Sequence, residues 1–336
     1  MDKNNLRWLK LNKIILDFTY IKKRIRIKYG YDIKENSILE FKKNINNYKE
    51  IDEDKLLSQI EEYTYQKMSI FIMRELKNKT KHPIQEELEN DVFKDLFKKK
   101  NRIFMENGIE YKGDLDSCYK VVNYSEIDKC IKLKLACIKK ISCTDTDEDG
   151  IQSANEIEEY DCVKFIINLE SKLIFMFYND FKFIDNDNKC FTLRKQAFYK
   201  LFSNATKGNI LTCDISRELN DYFKEYLSEI KADNPKKLIS EIETSNVLGS
   251  KNSIKSIAHD FKHNMFRLEA ISNAINNEGH YISSLECSLG TNLIRIKSSG
   301  EVIVETLFLN QEVLEIVCKE FFKDNNLYEL QCKFAK

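Results

Sequence analysis

Residues 162–178 read CVKFIINLESKLIFMFY, two apolar runs on either side of the short stretch Leu169–Lys172. Runs of strand length, rich in β-branched and aromatic residues and broken by the polar Glu170–Lys172, predict two strands joined by a tight turn. Upstream, IKLKLACI (131–138) alternates apolar and polar residues and predicts a half-buried strand. Downstream, TLRKQAFYKLFS (192–203) predicts a helix with Thr192 as its N-cap. A further helix, IQEELENDVFKDLFKKKNRIF, runs from residue 84 toward these strands.

The two prolines, Pro83 and Pro235, make natural boundaries. They divide the chain into a helical, basic N-terminal region (1–83), a central α+β domain (84–234) and a C-terminal α+β domain (235–336). In the first region Leu11, Ile14, Ile15, Phe18, Ile21 and Ile25 keep a helical period, and Gly30 is placed to stop it. A second long helix is expected from Asp52 to Lys77, carrying Leu56, Ile60, Tyr63, Met68 and Ile72. After Pro235 come a heptad-like helix (Ile254, Ile257, Phe261, Asn264, Leu268, Ile271, Ile275), the hairpin LIRIKSSGEVIVE and a closing helix, NQEVLEIVCKEFF. The fold class is α+β: a helical N-terminal region, a central mostly antiparallel sheet with helices, and a C-terminal helix-hairpin-helix unit.

Hydrophobic residues make up 42% of the 336 and charged residues 32%, a globular composition far from disorder. Lys+Arg and Asp+Glu stand at 54 each, so no global field selects a partner. The balance hides an asymmetry. Residues 1–29 hold nine Lys/Arg against two Asp, a local charge of +7 that the remainder offsets. Ten cysteines form no CxxC pair, and no apolar h-region follows the N-terminal MDKNNLRWLK. The expectation is reduced structural thiols and a cytoplasmic location. No run approaches the roughly 20 apolar residues of a membrane span. The bias to Asn, Lys and Ile points to an AT-rich genome, bacterial or phage.

Residues 143–160, CTDTDEDGIQSANEIEEY, contain a calcium-loop spacing: Asp145, Asp147, Asp149, then Gly150, and Glu156 at the twelfth position. These side chains form a candidate for a weakly bound divalent cation, Ca²⁺ or Mg²⁺. A strand precedes the loop where an EF-hand has a helix, and Gln152 occupies the position that takes an aliphatic residue. Ser153-Ala-Asn-Glu156 also reads as a capping box at a helix start. Both readings, metal loop and acidic connection, stand.

YDCVKFIINLESK aligns with the D…(D/E)xK pattern of restriction-type nucleases, which makes Asp161, Glu170 and Lys172 the catalytic alternative, two carboxylates for Mg²⁺ and a lysine for the attacking water. Glu170 and Lys172 fall at the expected turn rather than inside a strand, which counts against it. His259 and His263 lie four apart on the expected helix and read as solvated residues. No GxxxxGK[ST], strand-borne GxGxxG or GxSxG stretch occurs. The basic N-terminal helix carries Lys10, Lys13, Lys23, Arg24 and Lys28 opposite its apolar stripe, a pattern suited to phosphates.

The order of elements over residues 160–336 resembles the KwaB-like proteins of the Kiwa anti-phage system. It comprises a strand pair ending in a helix (KLIFMFYND…TLRKQAFYKLFS), a helical stretch starting KKLISEIETSNVL, the hairpin IRIKSSGEVIVE, and a closing helix with a basic tail (FFKDNNLYELQCKFAK). The resemblance implies a cytosolic, dimeric, DNA-engaging defence protein without hydrolytic chemistry and with a membrane partner; it transfers no residue roles. Three functions follow as expectations. The leading one is a non-enzymatic nucleic-acid-binding protein, with double-stranded DNA as ligand and a homodimer as its form. The others are a Mg²⁺-dependent nuclease and a protein–protein scaffold docking through the helix at 254–275.

Overall fold

The computed structural model describes residues 2–15, 18–75, 90–103, 105–127, 129–146, 152–179, 187–205, 208–232, 238–246, 248–249, 251–255, 261–289, 292–304, 309, 314 and 316–322. The hairpin expected at 162–178 is present. Strand β4 (Gln152–Asn168) turns back into β5 (Leu173–Tyr178), with Asn168 opposite Leu173 and Lys164 opposite Phe177. The Asn168 side chain accepts from the Glu170 and Ser171 amides at 2.9 and 3.2 Å, and Lys172 takes φ +60 in the turn. All six residues of β5 are buried, because the sheet is covered on both faces.

Ten strands follow one another across the sheet in the order β2-β3-β4-β5-β1-β11-β10-β9-β7-β8, and β6 also pairs with β1. The others are β1 (Lys67–Glu75), β2 (Lys120–Ile127), β3 (Cys130–Thr146), β6 (Gly208–Thr212), β7 (Leu238–Ser245), β8 (Lys251–Lys255), β9 (Tyr281–Leu289), β10 (Asn292–Lys297) and β11 (Glu301–Val304). Every pairing between these strands is antiparallel. The class is α+β with a helical N-terminus: α1 (Lys3–Ile14), α2 (Phe18–Tyr29), α3 (Ile38–Asn44) and α4 (Glu53–Glu62) share a core around Trp8, Phe41 and Leu57.

One sheet face packs Val163, Phe165 and Ile174 against Phe198 and Phe202 of α6 (Asp187–Ala205), beside Phe97 of α5 (Asn90–Asn101). The other packs Ile70, Phe175 and Ile294 against Leu219 and Phe223 of α7 (Ser216–Lys231) and Leu268 of α8 (Phe261–Asn277). The expected hairpin at 293–305 forms as β10–β11. Its Gly300 has φ +79, and a Cβ there would lie 3.2 Å from the carbonyls of Ile70 and Cys213. That close approach to β1 requires glycine.

Several expected elements differ. The helix over 52–77 ends at Glu62, and Lys67–Glu75 is the strand β1. Asp52 caps α4 through the Lys55 amide at 3.0 Å, but Ile70–Met73 is an unbroken apolar stretch. It buries both faces in a strand paired with β5 on one side and with β11 and β6 on the other. The N-terminal helix breaks at Ile15 into α1 and α2, while Gly30 ends α2 as expected, with φ +75. Helix α6 begins at Asp187, so Thr192 lies inside it.

KKLISEIETSNVL is not helical, since its residues 238–245 form β7. A bulge between Ile239 and Glu241 lets Ile239 and Ile242, three apart, share one buried face, which imitates helical spacing. The heptad-like pattern likewise starts in a strand, with Ile254 on β8, and becomes helical at Phe261; Ile257 and His259 lie outside the described residues. Strand β9 then precedes the hairpin, so the C-terminal unit contributes five strands to the common sheet. Leu314, Val317, Cys318 and Phe321 of the closing segment are in the core.

Candidate functional site

Strands β3 and β4 pair from Cys130–Asn168 out to Thr146–Gln152 and run beyond their other neighbours. Because side chains alternate, Lys132, Lys134, Tyr160, Cys162 and Lys164 emerge on one face, and helices α1 and α4 cover it. Lys132, Lys134 and Lys164 are all buried there, so the alternation in IKLKLACI marks two buried faces rather than one.

The helices supply the opposite charges. Glu61 receives Arg7 Nε at 2.8 Å and Nη2 at 3.1 Å, and Lys134 Nζ donates to it as well. Glu62 takes Lys132 at 3.0 Å and Lys164 at 3.1 Å. Arg7 also reaches Glu110 at 3.3 Å and Ser58 at 2.8 Å. Burial alone would raise the Glu61 and Glu62 carboxyls; Arg7 and Lys134 hold the first down at about 2, and Lys132 and Lys164 do the same to the second. Burial pushes the Lys164 ammonium down, with Glu62 opposing. Ions buried this deeply are tolerated only when paired and hydrogen-bonded.

On the other face Asp161 is fully buried. Arg194 of α6 grips it through Nε at 2.9 Å and Nη2 at 2.7 Å, and the Tyr119 hydroxyl donates to it. Burial would raise this carboxyl, but Arg194, then Lys10 and Lys139, keep it at about 2. Glu170 is at the hairpin turn, bonded to Lys129 at 2.8 Å, and Lys172 follows in that turn. Seven ladder positions separate Asp161 from Asn168, about 23 Å at the strand rise. The structure therefore does not bring Asp161, Glu170 and Lys172 together on one ion, which corrects the alignment with the nuclease pattern.

The acidic stretch begins on β3 and ends on β4. Asp145 pairs with Ser153 and Glu156 with Ser142 in the ladder, so Ser153–Glu156 is strand and not a capping box. Glu156 lies 3.8 Å from Lys140. Asp147 and Asp149 lie outside the described residues, and among those described no group of three or more His, Cys, Asp or Glu is spaced to hold a metal ion.

The basic face divides between two helices. On α1, Lys10 turns inward, 3.3 Å from Cys162 Sγ and 3.8 Å from Asp161, and Lys13 pairs with Glu159. The break after Ile14 separates the two helices, and α1 lies against β4. On α2, Ile21 and Ile25 are buried, while Lys23, Arg24, Arg26 and Lys28 are exposed. Arg24 sits over the Tyr63 ring at 4.4 Å, and the Tyr29 hydroxyl donates to Gln59 at 3.1 Å, fixing α2 on α4. Arg26 pairs with Asp32 at 3.2 Å in an exposed bridge that contributes little.

Arg7, Glu61, Glu62, Lys134 and Arg194 had no signal in the sequence, because each is recognisable only through a partner far along the chain. Lys164 had one, as the single cation inside an apolar strand. No protein-family model matches the chain, and no curated protein matches it.

Proposed function

We propose that the protein is a binding module for nucleic acid, and that α2 is its contact. The observation that carries this is the helix FTYIKKRIRIKY, with five cations, no carboxylate and four of those cations exposed together. Such a face exchanges condensed counterions for its own charges and binds phosphates without regard to sequence. Lys23, Arg24 and Lys28 keep the role expected of them, Arg26 joins them, and Lys10 and Lys13 serve the packing of α1. What remains of the layout resemblance over 160–336, the β4–β5 pair leading into α6 and the β10–β11 hairpin, supports double-stranded DNA as the ligand, phage defence as the setting, and a homodimer with a further protein partner as the working form. Among the described residues no helix is long and apolar enough to cross a membrane.

The test is retardation of a labelled duplex by the purified chain at low salt, compared with a Lys23→Glu/Lys28→Glu variant. Loss of at least tenfold in affinity in a variant with an unchanged melting temperature is the expected result. A duplex that is not retarded at all, or is retarded equally by both proteins, contradicts the reading.

A further inference from the structure

A cavity of about 580 Å³ opens beside α2, between α4, the 108–112 segment and strands β2 and β3. Its volume is in the range of small-ligand sites. Six lysines against four carboxylates line it, an excess of two positive charges. Lys132 and Lys134 form its floor, Lys28, Lys55 and Lys112 stand on its wall, and Tyr63 contributes an aromatic ring. Lys28 and Tyr63 belong both to this cavity and to the α2 face, since Arg24 lies on the Tyr63 ring. The neighbouring cavity of about 780 Å³ has the opposite sign, five carboxylates against three lysines, and repels a phosphate.

We propose that this cavity receives one unpaired nucleotide, from a strand end, gap or single strand whose backbone lies across α2. The inference rests on the reading of α2 given above and adds the kind of nucleic acid selected. An anionic ligand with a flat ring matches what the walls offer: ammonium groups for the phosphate and a tyrosine for the base. Proteins that hold single strands combine a basic track with aromatic platforms in this way. A base inside a duplex is stacked on both sides and cannot enter. The buried ions beneath the cavity hold Lys132 and Lys134 in place through Glu62 and Glu61, so the floor needs no rearrangement on binding.

The experiment is a fluorescence-anisotropy titration of the full chain with three labelled probes: a blunt duplex, the same duplex with a single-stranded overhang, and a single-stranded oligonucleotide. Stacking of one base is worth about tenfold or more in affinity, so the overhang and the single strand bind tighter than the blunt duplex by that factor. Tyr63→Leu and, independently, Lys112→Glu remove the preference, whereas Tyr63→Phe retains it. Lys112 is exposed, so its variant keeps the fold, and each variant is read by the ratio of its overhang affinity to its own blunt-duplex affinity. Equal affinity for all three probes, or a preference untouched by Lys112→Glu and Tyr63→Leu, overturns the cavity proposal while the α2 reading stands. Failure of Lys23→Glu/Lys28→Glu to weaken any probe overturns the α2 reading, and binding to none of the probes overturns both.

Discussion

Lys164 interrupts the strand CVKFIIN, yet its ammonium is buried against Glu62 and over the Phe177 ring at 4.5 Å. A lone cation inside an apolar run needs a partner, so among these buried ions it carries a local signal, one the reading of that run as a plain apolar strand passed over. Asp161 and Arg194 show what was not legible, a pair 33 residues apart whose mutual need appears only when α6 lies over β4. Breaking that pair strands a buried charge. Arg194→Met is expected to cost about 3–5 kcal/mol in chemical unfolding, and Asp161→Leu/Arg194→Met together to cost less than Arg194→Met alone. A double variant as unstable as the sum of the singles would mean the two residues do not act as a pair. The carboxylates also set an acid limit. Glu61, Glu62 and Asp161 have folded-state values near 2, below their ordinary 4.5 and 3.8, so the unfolded chain binds more protons between those limits. Their stabilisation is complete above about pH 4.5 and is lost as pH falls toward 2. Urea midpoints across that window are expected to fall with pH, more steeply than in Glu61→Gln if that variant folds.

Among the elements, the β4–β5 and β10–β11 hairpins were legible because apolar runs and turn residues are local signals. Helix α4 was read through into β1 because Met68 and Ile72 continue a helical spacing by chance, while the strand's pairing partners lie more than a hundred residues away. The bulge in β7 misled for a related reason, since it places residues three apart on one face. Gly300 marks where two hairpin strands and β1 meet most closely. With φ +79 and two carbonyls at 3.2 Å from a would-be Cβ, Gly300→Ala is expected to lower stability by more than about 1 kcal/mol. A urea midpoint equal to that of the wild type would place the cause elsewhere.

At the scale of the molecule, β1 lies between β5 and β11, so chain from before Pro83, from the middle and from after Pro235 shares one sheet. The helical layer is tied to that sheet by Arg7, Glu61, Glu62, Lys132, Lys134 and Lys164. Trp8, the sole tryptophan, reports on the helical layer, and far-ultraviolet dichroism reports on the whole. Their urea transitions are expected to coincide, and a separate early loss of the tryptophan signal would show that the layer unfolds alone. The same tie leaves α2 as the outward basic surface, with Lys10 and Lys13 committed to packing. The measurement that tests this most directly is duplex affinity against salt concentration, for the wild type and for Lys23→Glu/Lys28→Glu. Log affinity is expected to fall linearly with log salt, with a slope about two units shallower in the variant. Identical slopes in the two proteins, or no binding at low salt, would contradict it.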